Sequence, residues 1–367
     1  MKKNRSAISE KNNFVRTSCK WFKGNVPCVP HKESGCFCLK CSRYESLGKR
    51  ILIIKLGAAG DVIRTTPLLR RMRKDSPNAE VSWLTYFPDL VPKKWVNKIL
   101  DYKLQSLEWL KAQKFDWLIN LDKDDEAIAL AKLLDAKKKS GFGMGQYGKC
   151  RPLGNKHEKE KWLTGLWDDL NRVNKKNYME EIFKICGYSF NGEEYILECE
   201  NNYQWSEIGK NRKVIGLNTG CGGRWKTRLW GESRWVGLAK ILKKNGYEVV
   251  LLGGPNEDSL NKEIAKKAQV KYPGFFELPV FIDLMNQCET IVTQVTMALH
   301  IAIALKKKVI LINNIFNKNE FFLYGRGRII QPDLKCLGCF KQRFDKKCPV
   351  ANCMDLIKPK MVFEKII

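Results

Sequence analysis

Asp61 is the earliest residue in the chain whose type and surroundings favour catalysis. It ends a turn of small residues, Gly-Ala-Ala-Gly-Asp at 57–61, which follows an apolar strand predicted for residues 50–56. Small residues let a backbone turn tightly and come close to a ligand. A carboxylate there is a candidate general base for a hydroxyl group; a helix N-terminus beside it would keep it ionised but weaken it as a base. The alternative is that Asp61 only caps the helix that follows.

A second glycine-rich turn is followed by basic residues. Residues 218–230 read Asn-Thr-Gly-Cys-Gly-Gly-Arg-Trp-Lys-Thr-Arg-Leu-Trp, and a helix is predicted to start near Glu232. Backbone N–H groups, a hydroxyl group and cations gathered in one place are what a diphosphate requires. The candidate diphosphate-binding residues are Thr219, Gly220, Arg224, Lys226 and Arg228. The alternative is a surface turn with unrelated basic residues.

Two further motifs follow predicted strands in the second half of the chain. Glu257 ends the segment Val-Leu-Leu-Gly-Gly-Pro-Asn-Glu at 250–257, and an acidic side chain at such a strand end can hydrogen-bond a ribose diol. Its alternative role is to cap a helix. Thr296 and His300 lie where a strand passes into a helix of small and apolar residues. A single histidine on such a helix is more often a core residue than a catalyst.

The elements that must position these residues alternate between strand and helix. Each half of the chain opens with an apolar strand, then the glycine-rich turn, then a helix with apolar residues at helical spacing. Further strands are predicted at 80–86, 115–121, 247–253, 290–293 and 308–312. Such alternation is typical of βαβ units in parallel sheets, and two such halves predict an α/β protein with two Rossmann-like domains facing a cleft. Ligands bind such sheets at the carboxyl ends of the strands.

Residues 137–148 contain three consecutive lysines followed by four glycines. This composition predicts a flexible, solvated loop. The alternative is a lid over an acceptor site.

Five of the 14 cysteines lie between positions 19 and 41. Thiols this numerous in a reducing compartment indicate metal sites and buried thiols rather than disulfide bonds. A polar segment of this length hardly folds without a cross-link, so a structural zinc site is predicted there. Its predicted ligands are Cys19, Cys28, Cys38 and Cys41, with Cys36 or His31 as substitutes.

The tail contains a second cysteine group, Cys336, Cys339, Cys348 and Cys353. Four sulfurs at this spacing fit a tetrahedral zinc knuckle, and the alternative is a reduced, partly buried thiol cluster. Iron is the alternative metal at either end of the chain, since sulfur ligands also hold iron. The predicted organisation is a Cys-rich module at 1–48, one Rossmann-like domain at 49–205, a second Rossmann-like domain at 206–335 and a Cys-rich tail at 336–367.

Charge and composition restrict the classes of partner. The 367 residues include 66 Lys and Arg against 39 Asp and Glu, a formal net charge of +27, which favours an anionic partner. Hydrophobic residues make up 44%, enough to exclude a disordered chain. Neither a transmembrane stretch nor a signal peptide is evident, so a cytoplasmic location is expected.

Taken in order and at these separations, the motifs resemble glycosyltransferase family 9, the heptosyltransferases of lipopolysaccharide core synthesis. The resemblance covers about residues 50–357. The motifs that carry it are the small-residue turn at 57–67, the Asn-Thr-Gly segment at 218–230, Gly-Gly-Pro-Asn-Glu at 253–257, Met-x-x-His-x-Ala-x-Ala at 297–304 and the tail cysteines.

The resemblance implies an inverting enzyme of GT-B fold that moves heptose from ADP-heptose to an acceptor hydroxyl group and needs no metal for the transfer. It assigns Asp61 as the general base, in a turn where Gly57, Gly60 and Arg64 face the acceptor and phosphate. Arg228 stands where the family usually has Lys and would bind the diphosphate. Glu257 would contact the ribose.

One position departs from the family pattern. The family usually has Asp-Thr-Gly-x-x-His at the fourth motif, and here Val295 and Met297 replace the Asp and the Gly. Losing that carboxylate removes an acceptor for sugar hydroxyl groups, which leaves open a changed donor sugar or a weakened or lost activity. Thr296 and His300 remain to face the donor.

The leading hypothesis is therefore a transferase acting on a lipid-anchored saccharide, a lipopolysaccharide core or a related surface glycan. A basic enzyme would be drawn to the inner face of the cytoplasmic membrane, where such an acceptor lies. The alternatives are a heptosyltransferase that modifies protein, a Cys-knuckle protein that binds nucleic acid, and a non-catalytic binding protein on a transferase fold. Nucleic acid is disfavoured because the basic residues are scattered without interleaved aromatic residues.

Overall fold

The structure is a computed structural model, and it describes residues 14–200, 202–206, 208, 213–223 and 225–367. Two parallel sheets, each covered by helices, form the body of the molecule. None of the helices in these ranges is long and apolar enough to cross a membrane.

The first sheet has the strand order β3-β2-β1-β4-β5-β6, and β6 alone runs antiparallel to its neighbour. Its strands are β1 (Arg50–Ile54), β2 (Glu80–Thr85), β3 (Lys98–Asp101), β4 (Lys114–Asn120), β5 (Asp135–Met144) and β6 (Cys150–Pro152). The order reverses between β1 and β4, so a crevice opens at the carboxyl ends of these two strands. Asp61 follows β1 and therefore lies at this switch point.

The second sheet has the order β11-β10-β9-β7-β8, with every pair parallel. Its strands are β7 (Val214–Asn218), β8 (Glu248–Leu252), β9 (Thr290–Gln294), β10 (Lys308–Ile312) and β11 (Gly327–Ile330). Here the switch point lies between β7 and β9. The turn with Gly220 follows β7 and Thr296 follows β9, so both residues lie at the crevice.

Helices connect the strands. The described helices are α1 (Val29–Ser34), α2 (Ala59–Thr65), α3 (Pro67–Asp75), α4 (Leu104–Lys111), α5 (Asp125–Leu133), α6 (Lys156–Leu166), α7 (Asp168–Val173), α8 (Tyr178–Ile185), α9 (Glu232–Lys244), α10 (Asp258–Ala268), α11 (Leu278–Gln287), α12 (Met297–Ala304) and α13 (Pro359–Phe363). The helix predicted near Glu232 begins at that residue. The end of the chain returns to the second sheet, because Val362 and Ile366 pack in the same core as α9.

One apolar core runs through both halves. It joins Ile63 and Leu68, from the helices after β1, to Leu299 and Ile303 of α12 in the second half. Helix α2 packs directly against α12. The turns after β1 and β9 are therefore held next to each other.

The loop predicted at 137–148 is wrong for most of its length, because β5 extends to Met144 and pairs with β4. Lys137 and Lys138 are exposed, Lys138 Nζ lies 4.1 Å from the centre of the Trp117 ring, and Lys139 Nζ donates to Ala131 O of α5. Phe142 is buried. Gly141 has φ +102, and a Cβ there would lie 1.8 Å from Asn120 O, so this glycine serves a close strand contact.

Candidate active site

Asp61 is the third residue of α2, and the residue at the N-cap is Ala58. The alternative in which Asp61 caps the helix is therefore not what the structure has. Its carboxylate instead meets two cations: Arg64 Nε lies 2.9 Å from Oδ1 and Lys55 Nζ lies 3.7 Å from Oδ2. About a third of the Asp61 side chain stays exposed, so the carboxylate is accessible to a ligand.

Lys55 and Asp122 form a buried ion pair below Asp61. Asp122 follows β4 and accepts hydrogen bonds from the backbone N–H groups of Leu56 and Gly57. Lys55 Nζ also donates to Gly57 O. The pair thus fastens the start of the Asp61 turn to the neighbouring strand and fixes where the turn leaves the sheet.

The cations determine the protonation state of Asp61. Burial raises the pKa of a carboxylate, but the charges of Arg64 and Lys55 outweigh it and hold the pKa of Asp61 at about 2. The group is therefore ionised throughout the neutral range.

Arg64 connects the two halves of the molecule. Its guanidinium lies 3.6 Å from the centre of the Tyr178 ring and donates twice to Glu320 Oε1, at 3.1 Å for both nitrogens. Glu320 belongs to the second half and follows β10. The cation beside Asp61 is therefore shared with a carboxylate from the opposite side of the cleft.

His300 packs against the turn that contains Asp61. A Cβ on Gly60 would lie 2.5 Å from His300 Cδ2, so only glycine allows α12 to approach α2 this closely. His300 is buried and stacks on Tyr195 with ring centres 6.1 Å apart. Burial lowers its pKa to about 3, so the imidazole is neutral. Its Nδ1 has no hydrogen-bond partner within the described part of the chain.

A cavity of about 330 Å³ opens at the switch point of the second sheet. Its wall combines backbone of two glycine-rich turns with polar and aromatic side chains. The residues that matter here are Asn218, Gly220, Cys221, Gly254, Glu257, Phe276, Phe281 and Thr296. A concave site of this size with few polar groups is typical for a small ligand.

Gly220 and Glu257 contact each other in the wall of this cavity. A Cβ on Gly220 would lie 2.2 Å from Glu257 Cδ, and the Glu257 carboxylate accepts a hydrogen bond of 3.0 Å from Gly254 N. Glu257 makes no side-chain cap bond to α10, but its bond to Gly254 N caps the 3-10 helix Pro255–Glu257, so the alternative helix-capping role is present in the structure. The carboxylate also lines the cavity, as a contact to a ribose requires.

Thr296 caps α12 by accepting a hydrogen bond from Ala298 N at 3.2 Å. Its hydroxyl also lies 3.4 Å from Asn218 Nδ2, so it joins the ends of β7 and β9. Thr219 is buried, and its hydroxyl donates to Asn261 Oδ1 at 2.6 Å. The hydroxyl of Thr219 is thus engaged away from the cavity.

Arg228 lies behind the turn rather than in the open cavity. Its guanidinium donates to Val295 O and, at 2.6 Å, to Cys221 O. It thereby ties the turn after β7 to the turn after β9. Lys226, two residues earlier, is exposed, and Arg224 lies outside the described residues.

Four residues of the site were not predicted from the sequence: Lys55, Asp122, Tyr178 and Glu320. Lys55 and Asp122 carried a local signal, because each is a charged residue at the end of an otherwise apolar strand. Tyr178 and Glu320 carried none, since their place depends on packing between distant parts of the chain.

The cysteines form two groups. Five N-terminal cysteines border one small cavity, and Cys353 of the tail accepts a hydrogen bond from Asn314 Nδ2 at 3.2 Å. Within the described ranges, no three Cys, His, Asp or Glu side chains are already arranged as a set of metal ligands.

Comparison with known proteins places this geometry in a family. The profile of glycosyltransferase family 9 (heptosyltransferase) matches residues 104–345. Lipopolysaccharide heptosyltransferase 3 of Escherichia coli is 24% identical over 241 residues, 57% of this chain and 66% of that enzyme. A second such enzyme, from strain K12, is 22% identical and also matched over 66% of its length. The chain thus spans slightly less than two thirds of these curated relatives.

Solved structures share the fold at low identity. Escherichia coli heptosyltransferase WaaC with ADP-2-deoxy-2-fluoro heptose gives a TM-score of 0.61 at 16% identity, over 86% of this chain and 98% of that one. The family 9 glycosyltransferase of Veillonella parvula gives 0.66 at 18% identity, over 86% and 95%. The iron-containing dodecameric glycosyltransferase TibC of enterotoxigenic Escherichia coli gives 0.56 at 12%, over 87% and 75%. The two-sheet architecture is thus the GT-B fold predicted from the motifs, and the chain belongs to glycosyltransferase family 9, the heptosyltransferase family.

Proposed function

We propose that this chain is an inverting glycosyltransferase that moves heptose from ADP-heptose to an acceptor hydroxyl group. The observation that carries the proposal is the position of α12. Its N-terminal end, at Thr296–Ala298, lines the donor-sized cavity, and His300, two residues later in the same helix, packs on Gly60 beside Asp61. A ligand in the cavity is therefore brought close to an ionised carboxylate.

The cavity supplies groups for the nucleotide. Glu257 accepts hydrogen bonds from the ribose diol, and Phe276 and Phe281 offer apolar surface to the base. The diphosphate meets the backbone of the glycine turn and the charge of Arg228 and Lys226, which stabilise the negative charge that develops on the leaving group. With these cations in the chain itself, we propose that the transfer needs no metal; EDTA should leave the turnover rate unchanged.

Asp61 supplies the base. Its carboxylate takes the proton of the acceptor hydroxyl while the oxygen attacks the anomeric carbon and the nucleoside diphosphate leaves from the opposite face. A single displacement of this kind inverts the configuration. A carboxylate of low pKa is a weak base. The acceptor hydroxyl must therefore displace the Asp61 carboxylate from Arg64 as the bond to the anomeric carbon forms.

Nucleotide binding tests the donor assignment. Gly220→Ala would push a Cβ into the Glu257 carboxylate and should weaken ADP binding at least tenfold. Gly223→Ala, three residues along in the same turn, is the matched control, because a Cβ there meets none of the described residues within 4 Å. Calorimetry with ADP, UDP and GDP should show a preference for ADP in the parent chain and in the control. Equal affinity for the three nucleotides, or no binding, would overturn the donor assignment. Either result would favour the alternative of a non-catalytic binding protein on a transferase fold.

The acceptor is proposed from the curated relatives, which are named for lipopolysaccharide. We propose a lipid-anchored saccharide of a lipopolysaccharide core or related surface glycan, reached in the cytoplasm at the inner face of the membrane. Supplying ADP-heptose with either truncated lipopolysaccharide or cell protein, and following heptose by mass spectrometry, separates this acceptor from the protein-directed alternative.

Helix α7 offers a surface for that membrane. Leu166, Trp167, Leu170 and Val173 are exposed apolar side chains on and beside it, and Arg172, Lys175 and Lys176 follow closely in the chain. The same segment borders the cleft, because Asn317 Nδ2 of the second half donates to Asn171 O and Asn174 O at 2.7 Å. Apolar side chains with adjacent cations suit an anionic bilayer surface.

The tail cysteines are proposed to hold a structural zinc or iron ion. Sulfur ligands suit both metals, and TibC, which shares the fold, is an iron-containing protein. The Asn314 side chain, which donates to Cys353 Sγ, is a partner that a bound thiolate would keep. Such a metal would fix the tail against the second sheet and would take no part in the transfer.

A further inference from the structure

The N-terminal segment brings five thiols together around one small space. Cysteines at 19, 28, 36, 38 and 41 all border a cavity of about 20 Å³. A space of this size holds about one water-sized particle. The cysteines are therefore grouped around a volume that suits a single ion.

This segment has no apolar core to hold it together. Over residues 14–48, Pro30 is the only described residue that is buried, and regular structure is limited to α1 and one turn of 3-10 helix at Cys38–Lys40. Phe14, Phe22 and Phe37 are exposed. Because burial offsets so little of the conformational entropy lost on ordering, the segment requires a cross-link of another kind.

Two buried donors in the wall of the same cavity lack acceptors. Arg16 Nε and Trp21 Nε1 have no hydrogen-bond partner among the residues that the structure describes. Both residues line the cavity with the five cysteines. A neutral thiol is a poor acceptor, whereas a metal-bound thiolate is negatively charged and accepts N–H donors well. The orphaned donors thus point to negative charge on the sulfurs.

The surrounding charge agrees with this interpretation. The Arg16 guanidinium lies 4.4 Å from the centre of the Tyr44 ring, and the Arg43 guanidinium lies 5.3 Å from that of Trp21. Four thiolates on one divalent cation carry two excess negative charges. Arg16, which lines the cavity, offsets part of this charge, whereas Arg43 also forms an ion pair with Glu33.

The sulfur spacing is close to that of a metal site. Cys36 Sγ and Cys41 Sγ lie 3.5 Å apart. Two sulfurs bound to one zinc at about 2.3 Å in tetrahedral geometry are about 3.8 Å apart. His31 does not line the cavity, whereas all five cysteines do, so the ligands are sulfurs. Since no three of the described side chains already form a ligand set, the remaining thiols must turn inward on binding.

We propose that Cys41 and three of the cysteines at 19, 28, 36 and 38 bind one zinc ion as thiolates. Each ligating thiol releases its proton to solvent when the metal binds. The site is a structural cross-link for the N-terminal module and is separate from the cleft. The zinc proposal does not depend on the proposed transfer reaction.

Zinc content of the full chain tests the proposal. The background variant Cys336→Ser/Cys339→Ser removes the tail as a source of metal. In that background, protein reduced, loaded with zinc and desalted should retain one zinc per chain by mass spectrometry. Adding Cys38→Ser/Cys41→Ser should abolish it, and adding Cys150→Ser, a thiol of the first sheet, should not.

A second measurement guards against a variant that fails to fold. Limited proteolysis of the same protein should cut within residues 14–48 after zinc is removed by a chelator, and zinc should restore protection. Cobalt should give the thiolate-to-metal charge-transfer absorption in the Cys150→Ser control and not in the Cys38→Ser/Cys41→Ser variant. A zinc-free background protein, unchanged zinc after the double substitution, or a Cys36–Cys41 disulfide in the reduced protein would each overturn the site.

Discussion

At Asp61, two effects on one carboxylate oppose each other. Burial favours the neutral acid, whereas the positive charges of Arg64 and Lys55 favour the anion. The effect of the charges is larger and holds the pKa of Asp61 at about 2. A group whose pKa is lowered in this way stays ionised at all pH values well above 2. The free enzyme therefore has no loss of activity from Asp61 protonation between about pH 5 and pH 8.

Arg64→Gln should change that pH dependence. With the nearest cation gone, burial raises the pKa of Asp61 toward or above the ordinary value of about 3.9, and an acid limb should move upward in the profile of kcat/KM against pH. Glu320→Gln is the matched control, because it removes the other partner of Arg64 but leaves the ion pair with Asp61. An Arg64→Gln profile as flat on the acid side as that of the parent would contradict the assigned cation.

Asp61→Asn should lower kcat about 10²–10⁴-fold and spare ADP binding.

The positions of the site residues that directly follow strands could be predicted from the sequence. The contacts of the residues that hold the loops in place could not. Asp61, Gly220, Glu257 and Thr296 stand at strand ends, where the βαβ pattern alone places them at a crevice. Arg228 was predicted to bind diphosphate directly, and that role stays a prediction. Its hydrogen bonds to two backbone carbonyls, Val295 O and Cys221 O, follow from the approach of two loops and leave no trace in a local pattern.

Among the elements, seven strands were predicted, the edge strand β8 among them, whereas β3, β5, β6 and β11 were missed. Strands β1, β7 and β9 are buried along almost their whole length because helices cover both faces. Strand β5 contains three lysines and two glycines, a composition that favours a loop, and its pairing with β4 overrides that preference. Strand β3 is short and partly exposed, so it carried no periodic signal.

Helix α7 carries the prediction for membrane association. Trp167→Ser/Leu170→Ser removes two exposed apolar side chains and should lower co-sedimentation with vesicles of anionic lipid several-fold, because less apolar area enters the bilayer surface. Leu133→Ser is the matched control, since Leu133 is 70% exposed but lies at the end of α5. Binding to the vesicles that falls equally in both variants, or in neither, would remove α7 as the contact. Turnover of a water-soluble acceptor fragment should be unaffected by the α7 substitutions.

In the whole molecule, the core shared by the two halves raises the question of whether they are independent domains. Division at residues 205/206 was predicted from the sequence and stays a prediction. Two sheets with separate strand orders agree with it. Against independence, Glu194 and Arg326 form a bidentate ion pair at 2.7 Å across the halves.

The continuous core predicts that both halves unfold together. Leu299 of α12 is fully buried in the cluster that also holds Ile63 and Leu68 of the first half. Leu299→Ala should cost about 2–5 kcal/mol, and calorimetry should show the whole transition moving to lower temperature as a single peak. Arg326→Gln, which breaks a partly exposed ion pair, should cost only about 0–1 kcal/mol and serves as the control. If Leu299→Ala instead splits the transition, or lowers only one of two peaks, the halves are separate cooperative units. The contact between α2 and α12 would then be a docking surface that can open when substrate enters.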